Sequence, residues 1–401
     1  MKVIINKANP KGKVNVISSK SYSHRYLLAS MLSNNESHIS NVFFSNDIMA
    51  TLNCMSSFGC VYKIDNNSVS VINNSFQDKV PVFDCNESGS TLRFLIPIAL
   101  TRYEKVIFKG SKTLISRGIQ VYEKIFENQD IKVVKDETSI TINGKLKPGV
   151  FEVDGSLSSQ FITGLLFALP LLDKDSIINI IPPINSLNYI YMTLDVLNKY
   201  GIKYSFTNNQ ITIYGNQKYV GNDFIVEGDY SNASFLKAFN YFGGNIILEG
   251  LNENSLQGDK VFEKYFEVLN KEFSTIDISN CIDLGPILMA FAAIKNGGRF
   301  IGTSRLKIKE SDRANAMKEE LAKVNVKVDV LEDEIIVHKC KLNSPIESFD
   351  SHNDHRIAMA MSIFSSYYDI SINNAQAINK SYPNYFKELE GLGVEVSYET
   401  I

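Results

Sequence analysis

Charge of one sign is what this sequence has least of: 41 lysines and arginines stand against 44 aspartates and glutamates, a net charge of −3. No chain-wide basic field exists to draw in nucleic acid, so any cationic site must be a local arrangement. Long apolar runs are missing too. The longest apolar-rich stretch, Phe161 to Leu172, has 12 residues and is too short to cross a bilayer. The opening Met1-Lys2-Val3-Ile4-Ile5-Asn6-Lys7 lacks the apolar core of a secretion signal. Cysteine is scarce: Cys54, Cys60, Cys85, Cys281 and Cys340 are odd in number, scattered, and include no CxxC. That pattern excludes a disulfide framework and reads as reduced thiols, with no metal cluster. The expectation is a cytoplasmic protein with neither nucleic acid nor membrane as partner.

A length of 401 residues exceeds one ordinary core, so two domains are expected. A repeat organises them. Apolar helical stretches open behind Ser19-Lys20-Ser21, Glu87-Ser88-Gly89, Ser158-Ser159-Gln160, Asp229-Tyr230-Ser231, Asp283-Leu284-Gly285 and Asn353-Asp354-His355. Ser21, Ser88, Ser158 and Asp229 follow one another at 67, 70 and 71 residues, and Asp283 precedes Asp354 by 71. The one short step, 54 residues from Asp229 to Asp283, falls in the copy that lacks a clear hairpin. A fixed period with one explained deletion marks a repeat architecture. Each unit reads βαβαββ, with hairpins turning at pairs such as Asn66-Asn67 and Asn208-Asn209. The first helix of each unit is apolar nearly all round and should be central; the alternating hairpins should form outer sheets. The predicted fold is therefore α/β (α+β): a two-domain inside-out barrel of six βαβαββ repeats, helices inside and sheets outside. Residues 16–225 form one domain (repeats 1–3). Residues 1–15 and 226–401 form a discontinuous second (repeats 4–6), because the opening strands should return to that group.

The chemistry gathers at the helix openings. Ile308-Lys309-Glu310-Ser311-Asp312-Arg313 precedes a helix whose Ala314, Met317, Leu321 and Val324 keep helical spacing, with Ser311 or Asp312 as N-cap. Lys309 and Arg313 thus flank a helix N-terminus, which already attracts anions. Lys20/Arg25, Arg93, Arg117, Asp354-His355-Arg356 and Lys380 are of similar character. Taken singly, each has a plainer reading: a solvated face for Lys20 and Arg25, a capped helix start for Asp354-His355-Arg356, an N-cap for Asp283. If the units pack symmetrically, the openings converge on one end of each domain and face each other across a cleft. Such an arrangement would trap phosphates and carboxylates, with Asp283 and Glu310 as the carboxylates available for proton transfer.

These residues resemble the 5-enolpyruvylshikimate-3-phosphate (EPSP) synthases over essentially the whole length. The most specific parts are Lys309-Glu310-Ser311-Asp312-Arg313, Asn353-Asp354-His355-Arg356 and Asp154-Gly155-Ser156-Leu157-Ser158-Ser159-Gln160; Lys20-Ser21-x-Ser23-x-Arg25 and Lys380-Ser381-Tyr382-Pro383 add to them. The resemblance implies transfer of the enolpyruvyl group of phosphoenolpyruvate to the 5-hydroxyl of shikimate 3-phosphate, by addition and elimination through a tetrahedral intermediate. It implies Lys20, Ser21, Arg25, Ser158, Ser159, Gln160, Ser186, Tyr189, Asp283 and Lys309 around shikimate 3-phosphate. Around phosphoenolpyruvate it implies Lys20, Gly89, Arg117, Gln160, Arg313, Arg356 and Lys380. Asp283 is then the base for the hydroxyl and Glu310 the acid for the methylene, with Lys20 and His355 sharing proton transfers. It further implies no cofactor, no metal, a monomer, and competition by glyphosate beside Gly89. Glu87-Ser88-Gly89-Ser90-Thr91 departs from the Asn-Ala-Gly-Thr-Ala of many relatives but retains the glycine. The alternatives are UDP-N-acetylglucosamine enolpyruvyl transferase and a non-catalytic phospho-ligand binding protein. The first typically carries a cysteine on its phosphoenolpyruvate loop, and Leu100 to Glu127 has none.

Overall fold

The computed structural model describes residues 1–74 and 79–400. The chain divides into two compact units, Ser18–Glu227 and Met1–Ile17 with Gly228–Ile401. Among the described residues there are six sheets, three in each unit.

The sheet built by Val82–Asp84, Lys105–Lys109, Ser139–Asn143 and Lys132–Lys135 sets the pattern. A first strand pairs parallel with a second across a helix, and a hairpin completes the sheet antiparallel. Hairpin turns fall where the sequence puts asparagines: Asn66, Asn208 and Asn209 have φ of 51°, 48° and 62°, a left-handed conformation asparagine tolerates. Five sheets have four strands. The sixth, Lys11–Asn15 with Asn245–Glu249, has only two, and it belongs to the short repeat without a hairpin.

Repeat boundaries do not follow chain order at the start. Asp223–Ile225 pairs with Ser37–Ser40 and supplies the first strand of repeat 1. Lys11–Asn15 does the same for repeat 4. Lys2–Ile5 lies between Ile370–Asn373 and Val396–Glu399, antiparallel to both, inside the sheet of repeat 6.

The helices that open the repeats form the core of each unit. In Gly285–Ile294 every residue from Gly285 to Ala293 is buried. Gly89–Arg102 packs on Ser159–Ala168 so closely that a Cβ on Gly164 would lie 2.4 Å from the Arg93 carbonyl oxygen and 2.9 Å from Pro97 Cγ. Only glycine fits that crossing. The helix Lys20–Leu32 is less apolar than the pattern implies, since Ser23, His24, Arg25 and Ser30 are buried with Leu27 and Leu28. His24, Arg25 and Ser30 bond to neighbouring segments: His24 Nδ1 lies 2.8 Å from Thr51 Oγ1, Arg25 Nε donates to Thr193 Oγ1, and Ser30 Oγ lies 2.6 Å from the Tyr200 hydroxyl.

Candidate active site

Helix starts carry the cluster in the second unit. Asp312 is the N-cap of Arg313–Ala322 and accepts from the Asn315 amide at 3.1 Å. Asp354 caps His355–Ser362, accepting from the Arg356 amide at 2.9 Å. Asp283 is not a cap; it sits in the turn Ile282–Leu284 ahead of Gly285–Ile294, and its carboxylate collects cations instead. Arg313 Nη1 donates to it at 2.8 Å, Lys309 Nζ lies at 3.1 Å, and Arg356 Nη2 lies at 3.2 Å. The Arg313 guanidinium, 1% exposed, also donates from Nε to Asp354 at 2.7 Å and from Nη2 to Glu310 at 2.5 Å. The sequence-derived residues Asp283, Lys309, Glu310, Arg313 and Arg356 are thus one connected cluster. His355 is buried at its edge, Nδ1 3.9 Å from Asp354, and Lys380 donates to the Asn353 carbonyl at 2.5 Å.

Electrostatics in this cluster are set by mutual pairing. Burial alone would push the Asp283 carboxyl up, yet Arg356, Lys309 and Arg313 outweigh it and hold it well below the usual carboxylate range. Burial would lower Arg313, but Asp354, Glu310 and Asp283 raise it, so its cation is permanent. Lys309 is pulled below its usual value by burial, against the attraction of Asp283. Asp283 is therefore ionised at neutral pH. It can accept a proton, but only weakly until another anion takes over part of the cations' charge.

The first unit holds the remaining residues. Ser19 caps Lys20–Leu32, and Lys20 Nζ pairs with Asp47 at 2.6 Å. Arg25 is 2% exposed. It donates to Thr193 Oγ1 (2.9 Å), the Ser21 carbonyl (2.7 Å), Thr163 Oγ1 (3.3 Å) and the Tyr189 carbonyl (3.1 Å), and its guanidinium lies over the Phe94 and Tyr189 rings. Every one of these partners is neutral, and burial pulls Arg25 down to about 10. Ser158 caps Ser159–Ala168, and Gln160 bridges two helices by accepting from Arg93 Nη1 at 2.6 Å and donating to Ser90 Oγ at 3.0 Å. Ser186 precedes Leu187–Lys199 with φ 58° and makes no capping bond with its side chain. For serine this left-handed backbone is strained, a feature that gathers at functional sites.

Gly89, the first residue of its helix behind Ser88, faces two guanidinium groups. A Cβ there would come within 3.3 Å of Arg93 Nη1 and 3.4 Å of Arg117 Nη2. Arg117 stands between two helices. It closes the five-residue helix Lys112–Ser116 and, across the turn at Gly118 with φ 71°, precedes the expected helix, Gln120–Glu127. Arg93 is also held from behind. Pro97, inside the same helix, has no amide to give to the Arg93 carbonyl. The buried Tyr122 hydroxyl donates to that carbonyl instead, at 2.6 Å.

Sequence reasoning missed Asp47, Ser231 and Asp259 as members of these clusters. Asp47 opens the second helix of its repeat, a place where a carboxylate is ordinary, so nothing local marked it as the partner of Lys20. Among the described residues no group of three or more histidine, cysteine, aspartate or glutamate side chains could hold a metal ion, and no helix is long and apolar enough to cross a membrane.

Six sheets around buried helices, with cations clustered at helix starts, define the enolpyruvyl transferase fold. Two solved structures share it: EPSP synthase from Acinetobacter baumannii, with a TM-score of 0.77 at 23% identity over 99% of this chain and 100% of that one, and the enolpyruvyl transferase NikO from Streptomyces tendae, with a TM-score of 0.81 at 12% identity over 100% and 99%. Within that class the chain belongs to the EPSP synthase (3-phosphoshikimate 1-carboxyvinyltransferase) family, whose sequence profile matches residues 5–389. Relatives named 3-phosphoshikimate 1-carboxyvinyltransferase include those of Clostridium novyi, 40% identical over 98% of this chain and 97% of the relative, and Brachyspira hyodysenteriae, 39% identical over 96% and 97%.

Proposed function

We propose that the protein transfers the enolpyruvyl group of phosphoenolpyruvate to the 5-hydroxyl of shikimate 3-phosphate, releasing phosphate. The observation that carries this reading is Arg25, a buried guanidinium whose hydrogen bonds all go to neutral oxygens. A buried cation without a carboxylate is costly, and an anionic substrate supplies the missing charge. Arg93 and Arg117 around Gly89 support a second anion position.

The reaction runs in two steps. In the first, the ring hydroxyl oxygen bonds to C2 of phosphoenolpyruvate; Asp283 takes the hydroxyl proton and Glu310 gives one to C3. In the second, the C2–O bond to phosphate breaks while C3 loses a proton, restoring the double bond. Asp283 begins ionised under Arg356, Lys309 and Arg313. As phosphate and carboxylate groups engage Arg313 and Arg356, less positive charge remains on Asp283 and its basicity rises. Glu310, paired with Arg313 at 2.5 Å, can be protonated more readily once Arg313 turns to the substrate. Lys20 and His355 share these transfers, and the arginines and lysines stabilise charge on the departing phosphate. Ser21, Ser158, Ser159, Gln160, Ser186, Tyr189 and Lys309 hold shikimate 3-phosphate, and Lys380 belongs with phosphoenolpyruvate.

The test is release of phosphate from the two substrates together, read by a coupled assay, with UDP-N-acetylglucosamine as the competing acceptor. Release with shikimate 3-phosphate alone supports the reading. Release only with UDP-N-acetylglucosamine, or with neither, overturns it.

A further inference from the structure

Arg356 is held from two sides. Towards the cluster, Nη2 meets Asp283; on the opposite amino group, Nη1 donates to the hydroxyl of Ser231. Ser231, in the first turn of Tyr230–Ala238, in turn stands beside the carboxyl of Asp259. Asp259 lies in the turn Gly258–Val261 and is 3% exposed. Gln257 pins that turn to the helix start, accepting from the Tyr230 amide at 3.1 Å and donating to the Gly228 carbonyl at 2.8 Å. Asp259 therefore has little freedom to leave. One of its carboxyl oxygens, Oδ1, is buried without a hydrogen-bond partner among the described residues. An ionised carboxylate in that condition is expensive, and a protonated one costs much less.

The surroundings are unequal in charge. Asp283, from Ile282–Leu284, and Asp229, the cap of Tyr230–Ala238, act on Asp259 as negative neighbours; Arg356, from His355–Ser362, is the positive one. Cys281, beside them, is buried and stays a neutral thiol. On the following helix, Phe262–Lys271, Glu263 is paired with Lys237 in an exposed position. Burial first, and then Asp283, push the Asp259 carboxyl up to about 7.

We propose that Asp259 is a positioning residue which, through Ser231, sets how much positive charge Arg356 presents to phosphoenolpyruvate. With Asp259 protonated, one negative charge fewer stands behind Arg356, and its guanidinium gives more of its charge to an anion. With Asp259 ionised, a second negative charge stands behind the guanidinium and weakens its hold. By reciprocity, the substrate anion favours the protonated carboxyl. The inference rests on the proposed function, since it needs Arg356 to bind phosphoenolpyruvate.

The experiment is the pH dependence of KM for phosphoenolpyruvate, with kcat, in wild type, Asp259→Asn and Ser231→Ala. One unit charge a hydroxyl away from the guanidinium should raise the wild-type KM about tenfold between about pH 6 and about pH 9. Asp259→Asn, uncharged throughout, should lose that rise and keep a low KM at the alkaline end. An equal rise in Asp259→Asn overturns the inference, as does a flat wild-type profile; a purely structural role would change kcat or stability without removing the pH dependence. If Asp259→Asn does not fold, Ser231→Ala decides: a reduced rise supports the link and an unchanged one refutes it. Failure of the proposed function is distinguishable, because wild type would then release no phosphate at any pH.

Discussion

Replacing Tyr122 by phenylalanine removes one oxygen from a fully buried ring and leaves the carbonyl that Pro97 has orphaned without its donor. The Arg93 oxygen accepts from Tyr122 at 2.6 Å, and that hydroxyl also lies 2.9 Å from the Phe161 carbonyl on the facing helix. A buried acceptor stripped of its partner costs about 1–3 kcal/mol, so amides of Gly89–Arg102 should exchange roughly 5- to 150-fold faster at 1.4 kcal/mol per decade. Hydrogen exchange of peptides covering that helix measures its opening free energy without requiring both units to unfold together. The decisive variant is Pro97→Ala. It restores an amide four residues from Arg93, so Tyr122→Phe should cost about 1–2 kcal/mol less in that background than in wild type. If the cost is the same in both backgrounds to within about 0.3 kcal/mol, the hydroxyl is not compensating for the proline, and the reasoning fails.

The two carboxylates should separate by kinetics. Glu310→Gln keeps the shape at Arg313 and should bind both substrates while slowing C3 protonation by a factor on the order of 100, read as solvent deuterium entering the product methylene; wild-type exchange would move the acid to Lys20 or His355. Asp283→Asn should instead weaken the hold on shikimate 3-phosphate as well as slow hydroxyl attack, since three cations lose a shared partner; an unchanged KM for that substrate counts against it. Gly89→Ala puts a methyl 3.3 Å from Arg93 Nη1 and 3.4 Å from Arg117 Nη2 and should weaken glyphosate inhibition more than it raises KM for phosphoenolpyruvate, whereas equal losses would remove the steric argument. Glu320, bonded to His352 Nε2 at 2.8 Å, raises that imidazole above its ordinary value of 6.5. The stabilisation is therefore complete below about 6.5 and lost as pH rises through the raised folded value; His352→Gln should lower the melting temperature in acid and barely at alkaline pH, and an equal loss at both would exclude the charge effect.

What the sequence made legible is what repeats or acts locally. The 71-residue step, the asparagine turns and the caps Ser88, Ser158, Asp312 and Asp354 are signals within a few residues, and the missing hairpin showed as a shortened step. The site was readable as a set of residues but not as a set of partners. Lys20 and Asp47 are 27 apart, and Ser231 and Arg356 are 125 apart; such pairs are chosen by helix packing, and no local pattern carries them. The helix behind Ser116-Arg117-Gly118 was legible, but Lys112–Ser116, which Arg117 closes, is too short to have its own periodicity. Asp259 looked like one more acidic residue near a helix, and only its burial beside Ser231 set it apart.

The strand Lys2–Ile5, flanked in its sheet by Ile370–Asn373 and Val396–Glu399, also bears on how the protein is made. A ribosome releases those four residues before either neighbour exists. The unit Ser18–Glu227 contains all the strands of its own sheets and can close while translation continues. Residues 2–5 must wait, exposed as an unpaired and partly apolar edge, until the last segments emerge. Such an edge invites pairing with other nascent chains. Slow elongation across residues 370–399 should therefore lower the yield of folded protein more than an equal delay within residues 139–213.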